Sequence, residues 1–175
     1  MAYQYKREPL TQDEANRLAN ACETHREKLI IWVLLDTGLR VSELASLTKD
    51  KIDWQNHRLI IDGKNGLNGK KSKRRVVPLS QRVRPLLEGH FAIYDTIGVG
   101  TRTIQRLVKR VANRARISRP VVPHVLRHTF SVTAIKKGIS TRSLQEVLGH
   151  DNLAMTELYI HLEPEDAMRE FTEKW

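Results

Sequence analysis

Apolar residues recur along the chain with two periods, and the change from one to the other divides it. Thr11 with Glu14 three residues on has the form of a capping box, and Ala15, Leu18, Ala19 and Cys22 follow at helical spacing. The run Leu29-Ile30-Ile31-Trp32-Val33-Leu34-Leu35 has no polar face. It predicts a central, buried helix from about Arg26 to Thr37, stopped by Gly38. Strand patterns follow: a short one over Lys51 to Trp54, a better one over Arg58 to Gly63, and a third over Lys73 to Leu79. Asn68-Gly69 is a preferred pair for a type I′ turn, which would set Leu67 opposite Lys70, Lys64 opposite Lys73 and Ile61 opposite Val76. The expectation is a long basic hairpin.

Helical spacing returns at Ser80, and Pro85 interrupts or begins a helix that reaches towards His90. Gly98 and Gly100 bracket a loop, and Thr101 to Arg116 then carries Ile104, Leu107, Val108, Val111, Ala112 and Ala115 on one side. Pro123 suits the first position of a helix that ends near Gly138. Ser140 or Thr141 caps a short helix through Leu144, Val147 and Leu148, stopped by Gly149; Asp151 or Asn152 caps another that runs towards Tyr159. Pro164 with Glu165 and Asp166 opens a last amphipathic helix. The predicted fold class is mainly α with a small three-stranded antiparallel sheet (α+β), with residues 1–9 a tail or linker end and 10–175 a single domain.

Composition narrows the function classes. A chain of 175 residues with one cysteine, Cys22, forms no internal disulfide, and no Cys/His cluster has zinc spacing. Nothing resembles a signal peptide or a membrane span, so a cytoplasmic protein without a membrane partner or metal is expected. Net charge is +10, and its distribution says more than its size. From Lys64 to Arg119 there are 15 Lys or Arg against only Glu88 and Asp95, whereas the remainder carries 15 basic and 18 acidic residues. A one-sided excess confined to one third of a chain marks a polyanion partner, nucleic acid first. Phosphate contacts are expected from Lys70, Lys71, Lys73, Arg74 and Arg75 on the hairpin and from Arg102, Arg106, Lys109 and Arg110 on the basic helix, positioning the duplex without reading its sequence.

The candidate chemistry lies in polar residues that a core does not need. His124 and Arg127, three apart behind Pro123, share one helix face; His150 follows a glycine stop, and Tyr159 comes nine residues later. Two histidines, an arginine and a tyrosine are the parts of a phosphoryl-transfer site that needs no metal. A guanidinium fork matches phosphate oxygens, imidazole moves protons near neutrality, and a phenol that loses its proton is a nucleophile. Arg40 sits where the chain leaves the central helix, with Glu43 at i+3 as an ion-pair partner.

Taken together, Thr37-Gly38-Leu39-Arg40-Val41-Ser42-Glu43-Leu44, Arg75-Val76-Val77-Pro78-Leu79, His124-Val125-Leu126-Arg127-His128, Leu148-Gly149-His150 and Tyr159 resemble the catalytic domain of tyrosine recombinases, the phage integrase and Xer-type family. The resemblance covers nearly the whole chain in the family's order. It implies the family's catalytic-domain fold and a site-specific recombinase that cleaves and rejoins double-stranded DNA through a 3′-phosphotyrosine intermediate, with no cofactor. In that reading Tyr159 is the nucleophile, Arg40 and Arg127 hold the phosphate, and His150 donates a further hydrogen bond. His124 assists proton transfer or phosphate binding, and Glu43 orients Arg40 or a histidine. The family's hairpin lysine, which protonates the leaving 5′-oxygen, aligns with Lys64 when counted from Arg40 and with Lys70 when counted back from Val76-Val77-Pro78-Leu79. Lys64 is preferred because the Asn68-Gly69 turn lengthens both strands equally. The family's N-terminal DNA-gripping domain is expected to be absent. Further copies of the chain are expected as partners, in a tetramer on paired sites, with the C-terminal helix exchanged between subunits or packed in cis. Two other classes remain open: a non-catalytic DNA-binding module, given the helix-turn-helix rhythm of Ser140 to Tyr159, and a type IB-like topoisomerase.

Overall fold

The computed structural model describes residues 8–62 and 74–149. Among these, the elements run α1 (Gln12–Asn20), α2 (His25–Thr37), α3 (Val41–Ala45), a 3₁₀ turn (Lys49–Lys51), β1 (Ile52–Asp53), β2 (Arg58–Ile61), β3 (Arg75–Pro78), α4 (Val83–Phe91), α5 (Thr101–Arg114), α6 (Pro123–Lys136) and α7 (Thr141–Leu148). Helices dominate, and the three strands form one antiparallel sheet in the order β1-β2-β3, as expected. No helix among the described residues is long and apolar enough to cross a membrane.

α2 is the centre. Leu29, Ile30, Ile31, Val33 and Leu34 are essentially inaccessible, because α1, α4, α5 and α6 pack around the helix. An apolar helix of this kind is stable only when enclosed on all sides. Its ends carry the predicted punctuation. Thr24 accepts from the Glu27 amide at 3.1 Å, and Gly38 closes the helix in the left-handed region at φ 61°. Glu27 is itself buried, a costly place for a carboxylate, and it is answered by Arg114 at 2.9 Å and Arg110 at 3.3 Å from α5. Burial pushes its pKa up, but the hydrogen bond and charge of Arg114, together with hydrogen bonds from the Glu23 and Thr24 backbone, outweigh this, so the carboxyl stays below its ordinary range.

The sheet departs from the expected register by one residue. Ile61 lies opposite Arg75, and Ile60 opposite Val76, where the Asn68-Gly69 turn had set Ile61 against Val76. The reason is burial. Leu59, Ile61, Val77 and Arg75 share the covered face, and a slip of one residue would turn that set outwards. The turn itself lies outside the described residues. β1 is shorter than its predicted span, and α4 begins at Val83, three residues after Ser80, with Pro85 in its first turn, where a missing N–H costs nothing.

Candidate active site

Three local structures carry the site. The first follows α2, where Gly38 reverses the chain, Leu39 is fully buried, and Arg40 becomes the N-cap of α3 in an extended conformation. The Arg40 amide donates to Glu43 Oε2 at 2.7 Å, and its Nη1 donates to Glu43 Oε1 at 2.9 Å. One carboxylate thus fixes both ends of Arg40, whose side chain remains 40% exposed.

The second is the start of α6. Pro123 opens the helix, His124 is exposed in its first turn, and Arg127 is buried one turn later. Arg127 Nη1 donates to the Gly38 carbonyl and Nη2 to the Leu148 carbonyl at 2.8 Å. His128 is buried beside it.

The third is the end of α7. Ser140 caps the helix through the Ser143 amide at 3.2 Å, and Gly149 ends it at φ 63°. The last carbonyls of a helix have no partner within it and form its negative pole. Here three arginines take them in succession: Arg75 Nε bonds Val147 O at 2.8 Å, Arg127 bonds Leu148 O at 2.8 Å, and Arg40 Nη2 bonds Gly149 O at 3.3 Å. β3, α6 and the N-cap of α3 therefore meet at one turn, one residue before His150.

Glu43 joins these parts. Its side chain is 9% exposed and accepts from Arg75 Nη1 at 2.8 Å and Nη2 at 2.7 Å as well as from Arg40. Burial pushes its pKa up, but the Arg75 and Arg40 hydrogen bonds, with the Arg75 charge, hold it down at about 2. It is ionised at any working pH. One carboxylate therefore ties Arg40 to Arg75.

Arg75 corrects the sequence reading. Expected on a DNA-facing hairpin, it is 8% exposed, with its guanidinium on Glu43 rather than at the surface. β3 alternates buried and exposed from Arg75 to Pro78, so Arg75 shares the inward face of Val77. That parity was readable in the sequence, but the adjacent Val76, apolar yet 46% exposed, obscured it. Arg74, by contrast, is 65% exposed, with Asp62 at 3.7 Å.

On α5, Ile104, Leu107, Val108, Val111 and Ala112 are buried, and Arg102, Arg106, Lys109 and Arg110 lie on the exposed side. Arg110 reaches Glu27, whereas Arg102, Arg106 and Lys109 pair with no carboxylate among the described residues. Lys64, Lys70, Lys71, Lys73, His150 and Tyr159 lie outside the described residues.

The chain matches the phage integrase family over residues 8–166. It is 33% identical over 166 residues to tyrosine recombinase XerA of Saccharolobus solfataricus, covering 93% of this chain and 55% of that protein. To tyrosine recombinase XerA of Thermococcus kodakarensis it is 34% identical over 166 residues, covering 86% and 56%. It superposes on the crystal structure of XerA recombinase with a TM-score of 0.81 at 30% identity, over 94% of this chain and 64% of that one. The structure of XerH bound to palindromic difH shares the fold, with a TM-score of 0.77 at 21% identity over 97% of this chain and 54% of that one. The chain spans about half the length of the curated relatives it matches. With this match over most of its length, the chain belongs to the phage integrase family, alongside the tyrosine recombinases.

Proposed function

We propose that this chain is the catalytic domain of a site-specific DNA recombinase or integrase that breaks and rejoins duplex DNA through Tyr159. The observation that carries the reading is the convergence of Arg40 and Arg127 on the adjacent carbonyls of Gly149 and Leu148. Two rigidly held guanidiniums beside one turn suit a phosphodiester whose charge grows in the transition state. Arg40 uses one N–H from each terminal nitrogen on Glu43 and Gly149, so Nε–H and the second N–H of each remain for phosphate oxygens.

In this mechanism the Tyr159 oxygen forms a bond to phosphorus and the bond to the 5′-oxygen breaks. Arg40 and Arg127 hold the two non-bridging oxygens, and His150 donates to the same group. The phenol proton leaves with help from His124, and Lys64 protonates the departing 5′-oxygen. An isolated phenol has a pKa of about 10, so Tyr159 needs nearby cations or a base to lose its proton. The 3′-phosphotyrosine keeps the energy of the broken bond, and a 5′-hydroxyl from another strand reverses the step without a nucleotide cofactor. The exposed cations of α5, with Lys70, Lys71, Lys73 and Arg74, contact backbone phosphates. Strand exchange between two duplexes calls for several copies of the chain, in a tetramer, with the segment from Pro164 to Trp175 as the exchanged contact.

The test is a nicked suicide duplex carrying a candidate site, followed by a denaturing gel and mapping of the DNA-linked peptide. A covalent adduct on Tyr159 that Tyr159→Phe does not form is the expected result. A protein that shifts DNA but forms no adduct on any substrate would be a binding module, and an adduct on another tyrosine would overturn the site. Relaxation of a supercoiled plasmid without a specific site would favour a topoisomerase. Lys64→Ala is expected to slow adduct formation; a wild-type rate there with a slow Lys70→Ala would move the general acid to Lys70.

A further inference from the structure

We propose that Arg75 is a positioning residue for strand cleavage, locking Glu43, and through it Arg40, to the carbonyl end of α7 that leads into His150. This rests on the recombinase reading above for its effect on rate, and on geometry alone for the lock.

An arginine on the covered face of a strand must have its donors met, because an unpaired buried charge is strongly unfavourable. Arg75 meets that demand with three bonds to two elements: Nη1 and Nη2 to Glu43 of α3 at 2.8 and 2.7 Å, and Nε to Val147 O of α7 at 2.8 Å. Packing alone does not call for such a residue, since well-fitted apolar side chains replace buried ion pairs with little or no loss of stability. What the pair adds is direction. From Val147 O the bonds run through Arg75 to Glu43, from Glu43 to Arg40, and from Arg40 back to Gly149 O. The ring begins and ends on the same turn.

Gly149 shows how closely that turn fits. A Cβ there would lie 2.8 Å from Arg75 Cδ and 3.2 Å from its Nε, inside contact distance, and the backbone sits at φ 63°. Arg40 has a long, 40% exposed side chain, and Glu43 holds it both at the backbone amide and at Nη1, so the place of the guanidinium follows that of the carboxylate. With Arg75 holding Glu43, the guanidinium of Arg40 and the carbonyl end of α7 keep one relative position. Arg75, 8% exposed, does this without meeting DNA.

The experiment uses the whole 175-residue chain with Arg75→Met, Arg75→Lys and Gly149→Ala. At saturating suicide substrate, Arg75→Met is expected to slow adduct formation about 100-fold, the scale of a roughly 1 Å misplacement of a reacting group. DNA affinity and its salt dependence stay at the wild-type value. Arg75→Lys keeps the charge but not the fork, and is expected to remain about 10-fold slow or worse. Gly149→Ala changes no functional side chain itself but presses its Cβ against Arg75, and is expected to behave as Arg75→Met does, which guards against misfolding of one variant. Amide exchange is the readout independent of activity: the peptide containing Gly149 should exchange about 10-fold faster in Arg75→Met and Gly149→Ala, with peptides of α2 unchanged. Unchanged exchange with an unchanged rate overturns the proposal, as does a loss of DNA affinity with a salt slope shallower by about 1, which would make Arg75 a phosphate contact. If the wild type forms no adduct, the recombinase reading fails, and the exchange data still decide whether Arg75 locks the turn.

Discussion

Replacing Gly38 by alanine tests the junction on which the two arginines depend. Gly38 sits at φ 61°, where an L-residue costs about 1–2 kcal/mol. Its new Cβ would also lie at Phe130 Cδ1, at 2.9 Å from Cε1 and at 3.0 Å from Leu148 Cδ2. Phe130 is half-buried and lines the groove between α6 and α7, so its ring has room to swing, and the steric cost falls near the lower end of the ~1–3 kcal/mol typical of overpacking. The sum is about 2–4 kcal/mol. At about 2–4 °C per kcal/mol for a chain of this size, Tm should fall by roughly 5–15 °C. Gly98→Ala and Gly138→Ala serve as controls, because both glycines have positive φ but a Cβ at either meets nothing within 4 Å. They should lose only the backbone part, about 1–2 kcal/mol. Function should separate the variants further, since the Gly38 carbonyl accepts from Arg127, and a shifted carbonyl misplaces that guanidinium. Thermal unfolding of all three variants with adduct formation at saturating substrate gives both numbers. A Gly38→Ala protein no less stable than the controls, cleaving at the wild-type rate, would refute the packing argument.

Three further outcomes are expected. Arg127→Lys loses the fork that spans Gly38 O and Leu148 O; it should still bind DNA in a mobility-shift assay yet form the covalent adduct about 100-fold or more slowly, and near-normal cleavage would remove Arg127 from the site. Glu43, lowered from an ordinary 4.5 to about 2, contributes up to about 3 kcal/mol that is fully present above pH 4.5 and is lost as pH falls towards 2. Denaturant titrations across that window should show a steeper acid loss for wild type than for Glu43→Gln, and parallel curves would contradict the assigned ion pair. Changing Arg102, Arg106 and Lys109 together to glutamine should leave Tm nearly unchanged and make the slope of log K against log salt shallower by about 2.7, with an unchanged slope removing that face of α5 from the DNA contact.

Much of the site was open to inspection along the chain, because its parts sit at local punctuation. Gly38 and Gly149 are left-handed helix stops, Pro123 opens α6, and Ser140 caps α7; each of these was readable from one or two residues. Arg40, Glu43, His124 and Arg127 are placed by those signals. The charge count was less reliable. Arg75, Arg82, Arg114 and Arg119 lie inside the basic third, yet they pair with Glu43, Asp36, Glu27 and Glu14, all outside it. A window of sequence cannot see a carboxylate that folding brings from elsewhere. The basic excess therefore overstates the charge left for a partner, and the unpaired part on α5 is smaller than the composition suggested.

Local periodicity, caps and motif order were enough for most of the helices, for the apolar α2 as the centre, and for the family. The strand register and the burial of Arg75 against Glu43 and Val147 depend on contacts that only the folded chain makes. Alternation along β3 leaves two registers one residue apart, and both align apolar residues. The choice between them was made by the burial of Leu59, Ile61 and Val77 together with a carboxylate on α3 and a helix end on α7 that stand ready for a guanidinium. Those partners lie 32 and 72 residues away from Arg75 in the chain, and nothing short of the fold brings them within hydrogen-bond reach.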